Sequence, residues 1–211
     1  DRYSQASTYH ELGYLAQNLR EYEIAREYYQ QALDIDIEYG DRYSQAGTYH
    51  QLGMVTQDLR EYETAREYYQ QALDIKIEYG DRYSQASTYH ELGYLAQNLR
   101  EYEIAREYYQ QALDIKIEYG DHYEQALTYG QLGLLAKDLG ELEEAKTNLL
   151  QALEIYQKFN DSYYLDLTLN NLAYIYKTSQ DENILTEVAT ILGTTEQEIK
   201  ERFESEKEVN N

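Results

Sequence analysis

Residues 1–40, 41–80 and 81–120 are near-copies of one another, and the first differs from the third only at Asp36 against Lys116. A fourth copy over 121–160 is looser, and a fifth starts at Asp161 and loses the pattern after Tyr176. A fixed period of this length confines a chain to arrays in which each unit packs on its neighbours instead of folding round one core.

Inside one copy, Ala6, Tyr9, Leu12, Gly13, Ala16 and Leu19 recur at three- and four-residue steps, the period of one helix face. This first segment is helix A. After a polar break at Arg20 and Glu21, the residues Tyr22, Ala25, Tyr28, Tyr29, Ala32, Ile35 and Tyr39 keep the same period and predict a helix B. Gly40 stands where a left-handed residue would end helix B, and Asp41 follows with a side chain suited to capping the next helix. Forty residues therefore make two antiparallel helices and two short turns, with no room for a strand. The absence of proline agrees, since nothing interrupts either helix. Gly13, Ala25 and Ala32 are small where helices must approach closely, and Tyr9, Leu12 and Tyr29 fill the space beside them. The expected fold is all-α, a right-handed solenoid of four full hairpins, a partial fifth and terminal helices.

Tyr9, Leu12, Gly13, Ala16, Ala25, Tyr29 and Ala32 together resemble the signature of the tetratricopeptide repeat. Copies two and three match through Tyr49, Leu52, Gly53, Ala65, Tyr69 and Ala72, and through Tyr89, Leu92, Gly93, Ala105, Tyr109 and Ala112. Copy four matches through Tyr129, Leu132, Gly133, Ala145 and Ala152, with Leu149 in place of the second aromatic. The period is 40 where the family's usual one is 34, and Gly-Asp makes the turn where the family has proline. In this the chain is similar to the long repeats of Pins-type adaptors, kinesin light chains and large bacterial signalling proteins.

The resemblance implies a protein-interaction scaffold without catalytic activity or cofactor, whose A helices line a concave groove. Carried over position by position, the groove residues are Ser7, His10, Tyr14, Gln17 and Asn18 in copy one. Copy two gives Gly47, His50, Met54, Gln57 and Asp58; copy three gives Ser87, His90, Tyr94, Gln97 and Asn98. Copy four gives Leu127, Gly130, Leu134, Lys137 and Asp138. Their spacing puts each set on one helix face, expected to lie opposite the face packed on helix B. The family's chaperone-tail clamps grip a terminal carboxylate with Lys and Asn, where this chain has His10, Glu11, Tyr14 and Asn18. Glu11 would oppose such a ligand.

Charge directs the choice of partner. Forty acidic against 18 basic residues leave a formal charge of −22, a field that repels nucleic acid and anionic membranes and attracts a basic peptide. No apolar run approaches the roughly 20 residues a transmembrane helix needs. With no cysteine, disulfides and thiolate metal sites are excluded. His10, His50 and His90 sit on successive hairpins about 8–10 Å apart, too far for one zinc. The string His10-Glu11-Leu12-Gly13-Tyr14 lacks the second histidine of a zinc-protease helix. Ser7 with His10 has no orienting acid or oxyanion donor, and polar groove lining is the reading preferred for it.

Beyond Tyr176, Asp181 can cap a helix through Ile184, Leu185, Val188 and Leu192 ended by Gly193, and Thr195 with Glu198 forms a capping box for a last helix bearing Ile199 and Phe203. A DNA-reading helix-turn-helix is rejected for this tail, because residues 181–211 hold nine acidic and three basic side chains. The expected organisation is an array over 1–180 and a helical cap over 181–211. The chain begins at Asp1 without a charged and apolar leader, which suggests an excised fragment, and a cytoplasmic location is expected. Helix A of copy one has no polar outer face, which leaves two expectations: further repeats before Asp1 in a parent protein, or end-to-end self-association. The alternative to a peptide-binding scaffold is a structural spacer without a groove ligand.

Overall fold

The computed structural model describes residues 2–205, so Asp1 and the expected cap beyond Ser205 lie outside the described residues. Eleven α-helices follow one another among the described residues, with no strand. They are α1 (Arg2–Asn18), α2 (Tyr22–Glu38), α3 (Arg42–Asp58), α4 (Tyr62–Glu78), α5 (Arg82–Asn98), α6 (Tyr102–Glu118), α7 (His122–Asp138), α8 (Leu142–Phe159), α9 (Ser162–Ser179), α10 (Asn183–Leu192) and α11 (Glu196–Ser205). They stand in consecutive antiparallel pairs, as the repeat predicts. The chain divides into two units, Asp1–Ile115 and Lys116–Asn211, and each is described by itself.

In the first unit each hairpin closes on one tyrosine. Tyr29, Tyr69 and Tyr109 are fully buried, and their rings lie over Gly13, Gly53 and Gly93. A Cβ on Gly53 would stand 2.6 Å from the Tyr69 ring, which only a missing side chain permits. Ala25 and Ala65 of helix B are completely buried in the same hairpins. Burying such an aromatic contributes about 1.5–3 kcal/mol, enough for each hairpin to hold once a neighbour covers its other face.

The turns follow the expected chemistry at the end of helix B. Gly40 and Gly80 take φ of +67° and +66°, and Asp41 and Asp81 accept from the Ser44 and Ser84 amides at 3.0 and 3.1 Å. The Tyr3 and Tyr43 hydroxyls donate to those same aspartates at 2.6 and 2.8 Å, so each cap also ties two hairpins together. Helix B stops at Glu38, one residue short of the expected Tyr39, which is the C-cap. The turn after helix A was legible only as a polar break. Arg20, Arg60 and Arg100 there adopt the left-handed conformation (φ 61°, 64° and 61°), and copy four places Gly140 at the same point.

In the second unit Leu149 replaces the buried tyrosine over Gly133, and Asp121 and Asp161 cap α7 and α9. Ile184, Leu185 and Val188 of α10, with Ile199 and Phe203 of α11, share one core with Leu153 of α8 and with Leu169 and Leu172 of α9. Gly193 ends α10 at φ 66°, and the capping box forms: the Thr195 amide donates to Glu198 at 3.1 Å, and the Glu198 amide to Thr195 Oγ1 at 3.3 Å.

Candidate functional site

The A-helix positions do not all behave alike. On α1, Ser7, Tyr14 and Asn18 are exposed, Tyr14 by 57%. His10 and Gln17 instead touch helix B: the His10 ring stands edge-on to Tyr29 with centroids 5.2 Å apart, and the Tyr29 hydroxyl donates to Gln17 Oε1 at 3.1 Å. A five-residue set at these spacings spans too wide an arc to face wholly away from the partner helix. The expectation that each set lies opposite helix B is corrected accordingly.

The same division recurs on α3 and α5. His50 and His90 pack on Tyr69 and Tyr109 at 5.5 and 5.4 Å, and the Tyr109 hydroxyl donates to Gln97 at 3.0 Å. Met54 is half-buried against a cluster of Tyr69, Leu73, Leu92 and Leu95, whereas its counterpart Tyr94 is 42% exposed. Gln57 donates to the Glu91 carboxylate at 3.4 Å, while Asp58, Ser87 and Asn98 are exposed. Gly47 is also exposed. In the second unit Leu127, Gly130 and Leu134 are half-buried and Asp138 is exposed. Lys137 donates to Asn171 Oδ1 at 2.7 Å, and its ammonium lies 5.6 Å from the centre of the Tyr174 ring, the face-on contact expected of a cation with an aromatic.

Sequence reasoning missed a second polar line, one helix deeper. Asp36, Lys76 and Lys116 occupy the same helix B position and are buried, with 4%, 7% and 3% of their surface exposed. Copy four places the buried Tyr156 there. A signal was present: Asp36 follows Tyr29 by seven residues and Ala32 by four, on the apolar stripe, and the sole difference between copies one and three falls on it.

The two lysines meet acceptors of the next helix A. Lys76 Nζ donates to the Ser84 carbonyl at 3.1 Å and Thr88 Oγ1 at 2.7 Å. Within the second unit Lys116 donates to Thr128 Oγ1 at 2.9 Å and pairs with Glu124 at 3.0 Å. Thr88 Oγ1 also lies 3.2 Å from His50 Nδ1. Burial, with the Lys76 ammonium nearby, holds the His50 imidazole down at about 3, so it is neutral at pH 7. Burial also lowers the Lys76 amine to about 8, partly opposed by Asp81.

Asp36 differs in sign and in company. Its Oδ2 accepts from Thr48 Oγ1 at 3.2 Å, and burial pushes its carboxyl above the usual carboxylate range. Among the described residues no Lys or Arg pairs with it. It lines a cavity of about 330 Å³ with Ala32 of its own helix, Ser44 and Thr48 of α3, and Tyr3, Ala6, Ser7, His10 and Glu11 of α1. Among the described residues, no group of three or more His, Cys, Asp or Glu is placed to hold a metal ion, and no helix is long and apolar enough to cross a membrane.

Comparison with known proteins bears on this arrangement. The sequence model of the tetratricopeptide repeat matches residues 4–78 and 84–158. No curated protein matches the chain. Among solved structures, the apo form of RapI is similar with a TM-score of 0.76 at 22% identity, covering 94% of this chain and 57% of that one. A putative kinesin light chain with nearly identical repeats from Podosopora anserina gives 0.72 at 19% identity, covering 97% and 99%. A signal transduction ATPase with a tetratricopeptide repeat sensor from Pyrococcus horikoshii gives 0.79 at 18% identity, covering 96% of this chain and 32% of that one. The chain thus spans little more than half of the RapI chain and a third of the ATPase, and at these identities the likeness is one of fold.

Proposed function

This chain belongs to the tetratricopeptide repeat family, a protein-interaction scaffold, and on that footing we propose that its A helices hold an extended or helical peptide carrying Lys or Arg. The observation that supports this most directly is the pair of exposed tyrosines, Tyr14 and Tyr94, at equivalent A-helix positions of a chain with a formal charge of −22. Such faces suit cations, and the chain's own Lys137 against Tyr174 is an example of the contact. The half-buried Met54 between them in sequence gives copy two a different surface.

The positions carried by this reading are Ser7, His10, Tyr14, Gln17, Asn18, His50, Met54, Gln57, Asp58, Ser87, His90, Tyr94, Gln97 and Asn98 in the first unit and, separately, Leu134, Lys137 and Asp138 in the second, with Tyr14, Tyr94 and the exposed polar members making first contact. Residues 1–180 act as the array and 181–211 as its cap. The sensor-bearing ATPase among similar folds supports placing the chain as a sensor or adaptor arm of a larger signalling protein. A lysine-rich peptide library captured on the chain, on Tyr14→Ala and on Tyr94→Ala is the test. Loss of capture in both variants supports the reading; identical capture in all three sinks it and leaves a spacer.

One observation also favours self-association. Leu15 of α1 is 56% exposed, while its counterparts Val55 and Leu95 are almost completely buried in clusters with residues of α2 and α4. A second copy packing on that face would bury it. Light scattering over a concentration series tests this, and a strict monomer removes it.

A further inference from the structure

We propose that the cavity at Asp36 receives the ammonium group of a lysine side chain from a bound peptide. The inference rests on the peptide-binding reading above and names what that peptide must carry.

The chain supplies its own template. One hairpin further on, an amine sits against the Ser84 carbonyl and Thr88 Oγ1, and it is the Lys76 amine. The same acceptors stand ready between α2 and α3 as the Ser44 carbonyl and Thr48 Oγ1, but the residue that would reach them is a carboxylate. Thr48, with no amine to accept from, turns its hydroxyl toward Asp36 Oδ2 at 3.2 Å and toward the Ser44 carbonyl at 3.3 Å. Replacing lysine by the much shorter aspartate exchanges a donor for a third acceptor and leaves space where the lysine chain runs elsewhere.

That space is the cavity of about 330 Å³, at the lower end of the range of roughly 300–1,000 Å³ for ligand pockets. Asp36, Ser44 and Thr48 all line it, and their carboxylate, carbonyl and hydroxyl match in number the three donors of a primary ammonium. A buried carboxylate without a cation is costly, and an entering ammonium removes that cost. Its exposed lining residues are Ser7 and Glu11, on the helix face on which the peptide is proposed to lie, together with Tyr3 and Ser44, and Glu11 adds a carboxylate there. An unbranched side chain ending in an ammonium can pass from that face to Asp36.

The experiment uses the full chain with two probes: n-butylamine hydrochloride, and an acetylated Gly-Ser-Lys-Ser-Gly amide beside its norleucine counterpart. Amide and carboxyl resonances are followed in wild type, D36K and D36N. D36K makes copy one identical to copy three, a sequence this chain already folds, and fills the cavity with the chain's own amine. The expected result is that butylammonium moves the Ser44 and Thr48 resonances in wild type and leaves D36K unmoved. The lysine peptide should lose at least tenfold in affinity in D36K and D36N, and the norleucine peptide should bind no better to wild type than to D36K.

Equal butylammonium shifts in wild type and D36K, or none in wild type, overturn the proposal. If a peptide binds through Tyr14 and Tyr94 but D36K leaves it untouched, the cavity assignment falls and the groove reading stands. If butylammonium depends on Asp36 while neither peptide binds, the groove reading falls and the ammonium site remains as one for a free alkylamine.

Discussion

The junction between α2 and α3 and the junction between α4 and α5 share the acceptors Ser44 and Thr48, or Ser84 and Thr88, around one buried position that holds Asp36 in the first and Lys76 in the second, while Ser7 and Glu11 beside the first give way to Gly47 and Gln51 beside the second. At the second, an ammonium is held by a carbonyl and a hydroxyl, and the gap is filled by the lysine chain. At the first, the carbonyl and hydroxyl remain, the charge is reversed and a cavity opens. A repeat array repeats its hairpin interiors because each must close on itself, whereas a junction needs only to match its neighbour. Variation at a junction can therefore create a binding site without disturbing either hairpin.

The largest expected effect sets the scale of the shared interior. Tyr69 is fully buried, so Tyr69→Ala should cost about 3–5 kcal/mol in a urea melt, more than any change at either junction. Gly53→Ala, which drives a methyl into the Tyr69 ring, should cost about 1–3 kcal/mol in the same melt. If either were neutral, the interiors would not be the rigid part of the comparison.

Titration should separate the junctions by sign. An unfolded lysine keeps its proton up to the ordinary value of 10.5, whereas buried Lys76 releases it near 8. Across that window the unfolded chain binds more protons, so stability should rise with pH, by roughly 1–3 kcal/mol, and Lys76→Met should flatten the rise. Asp36 works in the opposite direction. Its carboxyl keeps a proton above the usual carboxylate range, so just above that range the native chain binds more protons and stability should fall as pH increases. Urea midpoints across a pH series, with Asp36→Asn as the second control, measure both slopes. Equal slopes in wild type and variant would remove these two groups from the account.

Two smaller effects complete the comparison. D36K should stabilise the chain by about 1 kcal/mol, because the new amine finds the Ser44 and Thr48 acceptors already placed; a loss of stability would show the two junctions to be differently shaped. Arg26 pairs with Glu61 at 3.0 Å and Arg66 with Glu101 at 2.6 Å, and all four side chains are about a third or more exposed. Arg26→Ala and Arg66→Ala should each cost less than about 1 kcal/mol, and equally. A clear inequality in thermal melts would move the difference between the junctions to the surface.

The hairpins, the capping aspartates and the glycines under the tyrosines were legible in the sequence, because periodicity and turn chemistry act within 40 residues. The left-handed arginines were not, since only Gly140 of copy four hints that this turn needs a positive φ. His10 and Gln17 were placed on the right helix but not on the buried tyrosine, because spacing sets a direction around one helix and says nothing of how far the next reaches over it. Asp36 was legible as a difference and illegible as a site. Its burial depends on α3 closing over α2, a contact between copies that no single copy encodes.

The central claim is that the carboxylate of Asp36 waits for a cation from outside the chain. The side-chain carboxyl carbon of Asp36, followed by NMR beside that of exposed Asp34 on the same helix during titration with the lysine peptide, tests it most directly. A saturable shift at Asp36 is expected, with Asp34 unmoved and the norleucine peptide inert. Shifts of equal size at both residues, or none at Asp36, would contradict it.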